Sequence, residues 1–520
     1  MARKQYNSIV SITGGRGRIY DAKDRILATN ITSYSVYADP QIVTDKEHTA
    51  RILAEELSLD KDDVLEKLNR SRRFVWIKRQ IPWPEKEAVE EHNLPGVGLR
   101  RKIKRFYPQK TIAAHVLGMV DIDNQGLEGI ELKYDEVLRG KEGFIQRFKD
   151  SAARGLIFLP ESLTPQEGAD VYLTLDGQIQ YWAEKYLAET IDKFGAKGGS
   201  VVVLDTQSGG VLALVNFPDF NPNKPGSSQA SERKNQALTD MFEPGSVFKI
   251  VTLIAALNEG AFNEDDMFFC ENGEYKIPGT VLHDYHPYGN LSFREVFSKS
   301  SNIGVAKIAQ SLGKNTLYRY IKKLQFAKAT GIDLPGEING FMKEPNQWSK
   351  TSGYIVPIGQ EVGVTLIQLA QAMSIIVSEG ELIQPYVVKK VVHEHYTNEI
   401  PPIKKNVLSP RVCERAKAVL IDVVENGTGR SAWIEGALVG GKTGTAQKFD
   451  VSIRRYSPNK YRASFVGFIE KEDISLVIAI SIDEPRKSHL GGTVAAPLFG
   501  MIGKETLRYL RYQNSSSRLQ

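Results

Sequence analysis

The stretch Glu243-Pro244-Gly245-Ser246-Val247-Phe248-Lys249 precedes a largely apolar run, Ile250-Val251-Thr252-Leu253-Ile254-Ala255-Ala256-Leu257. Pro244 and Gly245 interrupt the preceding chain, and the run predicts a buried helix that ends near Gly260. Residues three apart share a helix face, so the Ser246 hydroxyl and the Lys249 amine can meet. The unpaired N–H groups at the helix start also favour developing negative charge at Ser246. The stretch therefore predicts a serine nucleophile with a lysine as its base.

The Ser-x-x-Lys pattern is weak by itself, because a serine at a helix start is commonly only an N-cap. Two further motifs strengthen the catalytic interpretation. Ser300-Ser301-Asn302 comes before a second helical run, and Lys442-Thr443-Gly444-Thr445 indicates an edge strand of small residues. Each has an ordinary structural explanation, a capping pair in the first case and a polar strand with a glycine in the second. The three motifs in this order favour an active site.

This set of motifs resembles the signature of penicillin-binding proteins and serine β-lactamases. Stretches of the N-terminal third, at residues 16–21, 105–108, 113–118 and 126–131, resemble class B penicillin-binding proteins. The resemblance covers nearly the whole chain. It identifies the chain as a member of the class B group, which are monofunctional peptidoglycan D,D-transpeptidases, and as one of the division type.

The resemblance implies an α+β fold with two parts. A transpeptidase domain like that of penicillin-binding proteins and serine β-lactamases, with an antiparallel sheet covered by helices, is expected over residues 169–520. An elongated N-terminal α+β pedestal, a dimerisation and partner-binding domain, is expected over residues 1–168, ending in a polar junction at 163–168. The residues themselves predict a hairpin of the sheet at 200–205 and 210–215. Strands near Lys442, 464–468 and 476–482 complete this predicted sheet.

The resemblance assigns catalytic roles to Ser246, Lys249, Ser300, Asn302 and Lys442. Ser246 attacks the penultimate D-Ala carbonyl of a peptidoglycan stem peptide, and Lys249 takes its proton. Asn302 holds the substrate amide and contacts Lys249, while Ser300 relays a proton to the leaving amine. Lys442 raises the local positive potential, which favours a neutral Lys249. An amino group from a neighbouring stem then attacks the acyl-enzyme and forms the cross-link.

Substrate-binding roles are assigned to Thr443, Gly444 and Thr445. The two threonine hydroxyls are expected to meet the terminal carboxylate. Gly444 has no side chain, so the substrate can lie along the strand as an added β-strand. The backbone N–H groups of Ser246 and Thr445 are expected to form the oxyanion hole. β-Lactams are then expected to acylate Ser246 and inhibit the enzyme.

Other function classes stay open at this point. A β-lactamase or β-lactam sensor is the first alternative, but no convincing Glu-x-x-x-Asn element for hydrolysis lies between Asn302 and Lys442. A purely structural division scaffold is disfavoured because all the motif residues are intact. An elongation enzyme remains an alternative to a septal one. The compact pedestal, residues 37–40 and the lack of C-terminal modules favour division.

Composition excludes several partners. The net charge of +5 and the pI near 8.8 are too mild to indicate nucleic-acid binding. The two cysteines, Cys270 and Cys413, are expected to be buried small hydrophobic residues. No metal-ligand spacing occurs among the 8 histidines, so neither a metal nor a cofactor is expected. His283 and His286 either line the mouth of the site or belong to a solvated loop.

No stretch approaches the roughly 18 apolar residues of a spanning helix, and no secretory signal follows Met1. The resemblance implies a single-pass anchor in the bacterial cytoplasmic membrane, with the catalytic domain on its outer face. It also implies partners among the membrane glycan polymerases and division proteins. We therefore expect an engineered soluble form that lacks the native anchor, with Met1 added by cloning.

Overall fold

The computed structural model describes residues 7–149, 156–158, 164–394, 396–450 and 455–517. The first residue of the predicted junction, Leu163, lies outside this part. The N-terminal strands are β1 (Asn7–Thr13), β2 (Ile19–Tyr20), β3 (Ile26–Ala38), β4 (Val75–Ile81), β5 (Val97–Phe106), β6 (Glu142–Lys149) and β7 (Leu156–Phe158). The N-terminal helices are α1 (Lys46–Leu57), α2 (Lys61–Leu68), α3 (Trp83–Glu91), α4 (Ala114–Leu117), α5 (Gly129–Lys133) and α6 (Asp135–Leu138).

The remaining elements follow from residue 170 onward. The strands are β8 (Asp170–Leu173), β9 (Gly198–Asp205), β10 (Val211–Phe217), β11 (Met267–Phe269), β12 (Glu274–Ile277), β13 (Thr280–His283), β14 (Asn290–Ser292), β15 (Phe341–Met342), β16 (Val362–Gly363), β17 (Glu381–Ile383), β18 (Val388–Val392), β19 (Thr397–Glu399), β20 (Lys404–Asn406), β21 (Leu438–Asp450), β22 (Arg455–Lys471) and β23 (Ile474–Asp483). The helices are α7 (Gly177–Phe194), α8 (Ala230–Arg233), α9 (Gln236–Thr239), α10 (Lys249–Asn258), α11 (Phe293–Ser298), α12 (Asn302–Leu312), α13 (Lys314–Lys323), α14 (Ser352–Ile355), α15 (Leu366–Val377), α16 (Pro410–Glu425) and α17 (Gly491–Ser517).

The central sheet of the C-terminal part is antiparallel and has helices on both faces. Its described strands run in the order β10-β9-β23-β22-β21, which confirms the predicted hairpin and sheet. Along β9, Val201 and Val203 join the core that contains residues of α7 and α17. Val202 and Leu204 join the opposite core, with residues of α10 and α15. Both faces are buried, so successive strand residues are apolar instead of alternating with polar ones.

Helix α10 is buried on all sides, as its apolar sequence predicts. Every residue from Lys249 to Leu257 is buried. The helix is preceded by a 3-10 turn at Gly245–Phe248 and ends at Asn258, close to Gly260 as predicted. Lys249 is therefore the first residue of a helix that has no solvent-facing side.

A second sheet joins strands from both sides of the predicted junction. β2 pairs in parallel with β8, and β8 pairs antiparallel with β18. In the described residues this sheet has the order β19-β18-β8-β2-β3-β4, with β5 added on β3. The division at residues 168 and 169 stays a prediction.

Two further expectations concern cysteines and membrane spans. Both cysteines are unpaired and buried, as predicted. Within the described ranges, the structure contains no helix with the length and apolar character needed to cross a membrane.

Three stretches that lie far apart in the N-terminal sequence meet in a buried ion cluster. Arg16 Nε and Arg105 Nε each lie 2.6 Å from one oxygen of Glu131. These three side chains are at most 3% exposed. Tyr107 adds its hydroxyl to the same carboxylate at 3.3 Å. Two guanidinium groups with little access to water therefore share the Glu131 carboxylate, and Asp135 adds a second carboxylate oxygen 2.7 Å from Arg16 Nη1.

We expect Glu131→Ala to destabilise the protein strongly, because it leaves two buried guanidinium groups without their shared carboxylate. Removing one partner of a buried ion pair typically costs about 3–5 kcal/mol. The control is Glu66→Ala, which breaks an exposed pair with Arg70 whose side chains are 71% and 51% exposed and should cost about 0.3–0.5 kcal/mol. Denaturant unfolding of both variants measures the difference, and equal losses would contradict this role for the cluster.

Candidate active site

Ser246 lies in the 3-10 turn that leads into α10, beside the edge strand β21. Gly245 has a φ of +54 and donates its N–H to Gly359 O at 3.2 Å. A Cβ at Gly359 would lie 2.1 Å from Gly245 O, so only glycine fits at this crossing. Two glycines thus fix the backbone directly before the proposed nucleophile.

Lys249 is fully buried and directed at the Ser300–Asn302 segment. Its Nζ donates to Ser300 O at 2.5 Å, to Ser300 Oγ at 3.2 Å and to Asn302 Oδ1 at 2.8 Å. Among the described hydrogen bonds, none joins Lys249 to the Ser246 hydroxyl. Ser246 lies in the 3-10 turn and Lys249 is the first residue of α10, and catalytic hydrogen bonds are often long before substrate binds.

Ser300 connects the two lysines of the site. Its hydroxyl lies 2.8 Å from Lys442 Nζ and 3.2 Å from Lys249 Nζ. Its backbone φ of +61 is uncommon for a residue with a side chain. This conformation aims both the carbonyl and the hydroxyl of Ser300 at Lys249. The serine is therefore placed to pass a proton between two amines.

Burial shifts the pKa of both lysines downward. Desolvation lowers the Lys249 pKa to about 7, although the negative charge of Asp284 acts in the opposite direction and raises it. The Lys442 pKa is lowered well below its usual value by burial and by repulsion from Lys249. Ammonium groups that share one hydroxyl disfavour each other's charge. A neutral amine is therefore available at Lys249 near neutral pH.

Asn302 and the start of α12 are held by a residue that sequence analysis did not identify, Asp284. One carboxylate oxygen of Asp284 accepts the N–H of Asn302 at 2.5 Å and that of Ile303 at 3.1 Å, and the other accepts the Ser301 hydroxyl at 2.6 Å. Asn302 Nδ2 donates to His283 O at 2.8 Å. No local pattern marks Asp284, because its partners follow at least 17 residues later.

The two threonines and the glycine of the Thr443-Gly444-Thr445 segment of β21 have different surroundings. Thr443 and Thr445 line the cavity, but their hydroxyls already have protein partners. Thr443 Oγ1 lies 2.7 Å from Thr428 Oγ1, and Thr445 Oγ1 accepts Gly491 N–H at 3.0 Å. A Cβ at Gly444 would meet Ser464 Oγ at 2.3 Å and Pro244 O at 2.8 Å. The missing side chain of Gly444 thus makes room for the protein's own nucleophile segment.

We expect Gly444→Ala to misplace Ser246 while leaving the protein folded. The added methyl group would press on Pro244 O and on Val247 Cγ2, each 2.8 Å away, and a small displacement of a reacting group can cost about 100-fold in rate. Acylation by a fluorescent penicillin should slow by roughly 10- to 100-fold. The control is Gly226→Ala, where the new Cβ meets nothing within 4 Å. Equal acylation rates for both variants would contradict the expectation.

A cavity of about 710 Å³ brings the predicted motifs together. Five residues singled out from the sequence line it: Ser246, Ser300, Asn302, Thr443 and Thr445. Lys249 and Lys442 lie beneath it, 0% and 1% exposed. His286 also lines the cavity, whereas the His283 side chain is 61% exposed.

Sequence reasoning did not identify one wall of this cavity. Tyr461 and His489 stack there with ring centroids 4.2 Å apart. They come from β22 and from the segment before α17, so no sequence spacing relates them. Within the described part of the chain, no group of three or more His, Cys, Asp or Glu side chains is arranged to hold a metal ion. The motif residues at the cavity supply a hydroxyl, amines, an amide and backbone N–H groups.

Comparison with known proteins finds two family models that together match most of the chain. The model of the penicillin binding protein transpeptidase domain matches residues 199–504, and that of the penicillin-binding protein dimerisation domain matches residues 11–173. The chain is 32% identical over 502 residues to the probable peptidoglycan D,D-transpeptidase PenA of Neisseria gonorrhoeae, covering 95% of this chain and 84% of the relative.

Two other similar proteins extend the comparison. Stage V sporulation protein D of Bacillus subtilis is 32% identical over 532 residues, covering 100% of this chain and 82% of the relative. The crystal structure of penicillin binding protein 3 from Mycobacterium tuberculosis, complexed with aztreonam, matches with a TM-score of 0.75 at 27% identity. That alignment covers 96% of this chain and 97% of the other.

Proposed function

The chain belongs to the class B penicillin-binding proteins and is a peptidoglycan D,D-transpeptidase, and we propose that Ser246 carries the acyl group during cross-linking. The observation that carries this proposal is the buried chain of contacts from Lys249 through Ser300 to Lys442, directly below the cavity that Ser246 lines. It supplies a base and a proton route to a serine that is otherwise a weak nucleophile.

Acylation begins with neutral Lys249. Its amine takes the proton of the Ser246 hydroxyl, and Oγ attacks the carbonyl carbon between the two D-alanines of the donor stem. The carbonyl oxygen becomes an oxyanion that the N–H groups of Ser246 and Thr445 can stabilise. The first-turn position leaves the Ser246 N–H without an intrahelical acceptor. A single such donor contributes about 2.7–4 kcal/mol to transition-state stabilisation.

Breakdown of the tetrahedral intermediate needs a proton on the leaving nitrogen. Ser300 Oγ lies 3.2 Å from Lys249 and 2.8 Å from Lys442 and can deliver this proton to the nitrogen of the departing D-alanine. Lys249 is then neutral again. It can deprotonate the amino group of a second stem, which attacks the ester carbon, and it returns this proton to Ser246 Oγ as the ester bond breaks. One amide bond is broken and another is formed.

The same site is proposed to react with β-lactams, since the related M. tuberculosis protein was solved in complex with aztreonam. A test combines both substrates. The protein should release D-alanine from an acyl-D-Ala-D-Ala donor and form an amide with an added amine, and labelled penicillin should acylate it quickly and leave slowly. Rapid loss of the label would instead indicate a β-lactamase.

Asp284 should set the pH at which Lys249 becomes neutral. Its negative charge raises the Lys249 pKa, so Asp284→Asn should lower that pKa and move the acid limb of the acylation rate to lower pH. Asparagine can keep the contacts of one oxygen with Asn302 N and Ile303 N. The exposed Asp265→Asn serves as the control. A slower rate with an unmoved limb would show that Asp284 acts through structure alone.

We further propose that the enzyme works in septal wall synthesis on the outer face of the bacterial cytoplasmic membrane. In this proposal, residues 1–168 form the partner-binding domain and residues 169–520 the transpeptidase domain. The match to a dimerisation domain over residues 11–173 supports a role of the N-terminal part in assembly. Pull-down from native membranes should recover the division glycan polymerase in preference to the elongation one. The opposite preference would assign the enzyme to elongation.

A further inference from the structure

The chain directly before the proposed nucleophile lies along a second segment, residues 359–364. Phe242 and Val364 exchange two backbone hydrogen bonds, at 2.9 and 3.0 Å. The contact nearest to the nucleophile is the bond from Gly245 N–H to Gly359 O, at 3.2 Å. Backbone atoms make both contacts, so the two segments are joined at each end of the approach to the nucleophile.

The side chain of Glu243 adds a contact between these two ends, and the mechanism above gives it no role. Its Oε1 accepts the Glu361 N–H at 2.8 Å and the Tyr456 hydroxyl at 3.0 Å. Glu361 belongs to the second segment, whereas Tyr456 belongs to strand β22. One carboxylate oxygen thus connects the nucleophile segment to two residues that lie 118 and 213 positions away in sequence.

The backbone of Glu361 has an unusual conformation at this contact. Its φ is +56, which is uncommon for a residue with a side chain. Its own carboxylate is held as well, because Oε2 accepts the Ser352 hydroxyl at 2.6 Å. Residues in such conformations persist only where the surrounding structure holds them, and they cluster at active sites. The conformation of Glu361 presents its N–H to the Glu243 carboxylate.

The Glu243 carboxylate serves as a hydrogen-bond acceptor and not as half of an ion pair. No lysine, arginine or histidine in the described part of the chain pairs with it. Burial and the nearby Glu361 carboxylate raise the Glu243 pKa, whereas the bonds from the Glu361 N–H and the Tyr456 hydroxyl lower it. The two bonds need an oxygen acceptor, and a negative charge is not required for them. A side-chain amide oxygen at this position could therefore accept both.

The position of Ser246 depends on the chain that precedes it. Ser246 follows Gly245, and glycine has a wider range of backbone conformations than any other residue. Gly245 also has no side chain whose packing could hold it in place. The contacts of Phe242, Glu243 and Gly245 with the second segment therefore limit how far the turn at Ser246 can move. A displacement of about 1 Å at a reacting group can cost about 100-fold in rate.

We propose that Glu243 is a positioning residue for acylation, and that it holds the turn at Ser246 through its hydrogen bonds with Glu361 and Tyr456. This inference rests on the proposed function, because Glu243 acts only through Ser246 as the nucleophile. Glu243 exchanges no proton with the substrate and forms no bond to it. Its contribution therefore belongs to the rate of bond formation at Ser246 and not to reversible binding.

The test measures acylation by penicillin over a range of drug concentrations. This separates the dissociation constant of the reversible complex from the rate constant of acylation. Glu243→Ala should lower the rate constant by roughly 10- to 100-fold, the cost of a misplaced reacting group, and leave the dissociation constant unchanged. Glu243→Gln keeps an oxygen acceptor for both bonds, so it should restore most of the rate constant.

Tyr456→Phe removes one of the two donors by deleting a single oxygen. It should lower the rate constant in the wild-type protein but not in Glu243→Ala, because the bond is already lost in that variant. The matched control is the pair of Tyr318 and Glu344, a hydroxyl–carboxylate bond of 2.5 Å between residues that do not line the active-site cavity. Tyr318→Phe and Glu344→Ala should both acylate at the wild-type rate.

A wild-type rate constant in Glu243→Ala, or a changed dissociation constant with an unchanged rate constant, would overturn the inference. Equal losses in Glu243→Ala and Glu243→Gln would also overturn it, since the charge of Glu243 would then matter and not its hydrogen bonds. If thermal unfolding shows that Glu243→Ala does not fold, Tyr456→Phe decides alone, and a wild-type rate constant for it contradicts the inference. Failure of the proposed function looks different, because mass spectrometry would then find no penicillin on Ser246 of the wild-type protein.

Discussion

Ser246→Ala is expected to abolish covalent labelling by β-lactams and D-alanine release from stem-peptide donors. The substitution removes only the hydroxyl of a half-buried residue, so the fold and the cavity should persist. The two lysines beneath the cavity keep their bonds to Ser300, because none of the described hydrogen bonds joins Ser246 to Lys249. Intact-mass spectrometry after incubation with penicillin gives the measurement.

The control for this variant is its own stability and reversible binding. Thermal unfolding should match the wild type, and penicillin should still bind without forming a bond. A drug adduct found on folded Ser246→Ala would reject Ser246 as the nucleophile. An unfolded variant is recognised by the melting curve, and Ser246→Cys then tests whether a nucleophile of similar size at this position restores acylation.

Lys249→Ala should slow acylation by roughly 10²- to 10⁴-fold, the usual contribution of a general base. The wild-type rate should fall as pH drops through about 7, since burial lowers the Lys249 pKa to about 7 and only the neutral amine accepts a proton. The residual rate of Lys249→Ala should lose this acid limb. Lys249→Met fills the buried volume and should show the same loss, which separates catalysis from packing.

Lys442→Arg provides the comparison within the same hydrogen-bond chain. Arginine keeps a charge, but its planar head does not reproduce the contact of an ammonium group 2.8 Å from Ser300 Oγ. We expect a lower kcat/KM for substrates that carry a terminal carboxylate. The pH profile of the acylation rate should shift, but the rate should still fall at low pH. If Lys249→Ala acylated at nearly the wild-type rate while Lys442→Arg was inactive, the base would be Lys442.

Glu243, three residues before Ser246, lines both the active-site cavity and a second cavity of about 480 Å³. Its carboxylate binds the Glu361 N–H and the Tyr456 hydroxyl, and so ties the nucleophile segment to the wall of the second cavity.

Local sequence was sufficient for the elements with strong periodicity. The three-residue step from Ser246 to Lys249 predicts a shared helix face, and the apolar run after Lys249 predicts the fully buried α10. The hairpin of β9 and β10 follows from two apolar runs around a polar turn. These features depend on neighbours within one helical turn or one strand pair, so the amino-acid order alone determines them.

Long-range packing determined the rest. Arg16 and Glu131 are 115 positions apart, yet they form one buried pair. Asp284 binds the start of α12 from a distant loop, and Gly444 is small because the Pro244–Val247 segment crosses it. No spacing rule predicts such contacts.

The sequence by itself determined which side chains are the candidates for the chemistry: two serines, two lysines and an asparagine in three motifs. Only the tertiary structure decided their electrostatic state and surroundings. The Lys249 pKa falls because distant segments exclude water from its amine, and the shared hydroxyl of Ser300 depends on a positive φ that the motif does not reveal. Charge is set by solvation and by the groups within a few ångströms, and the folded chain supplies both from residues remote in sequence.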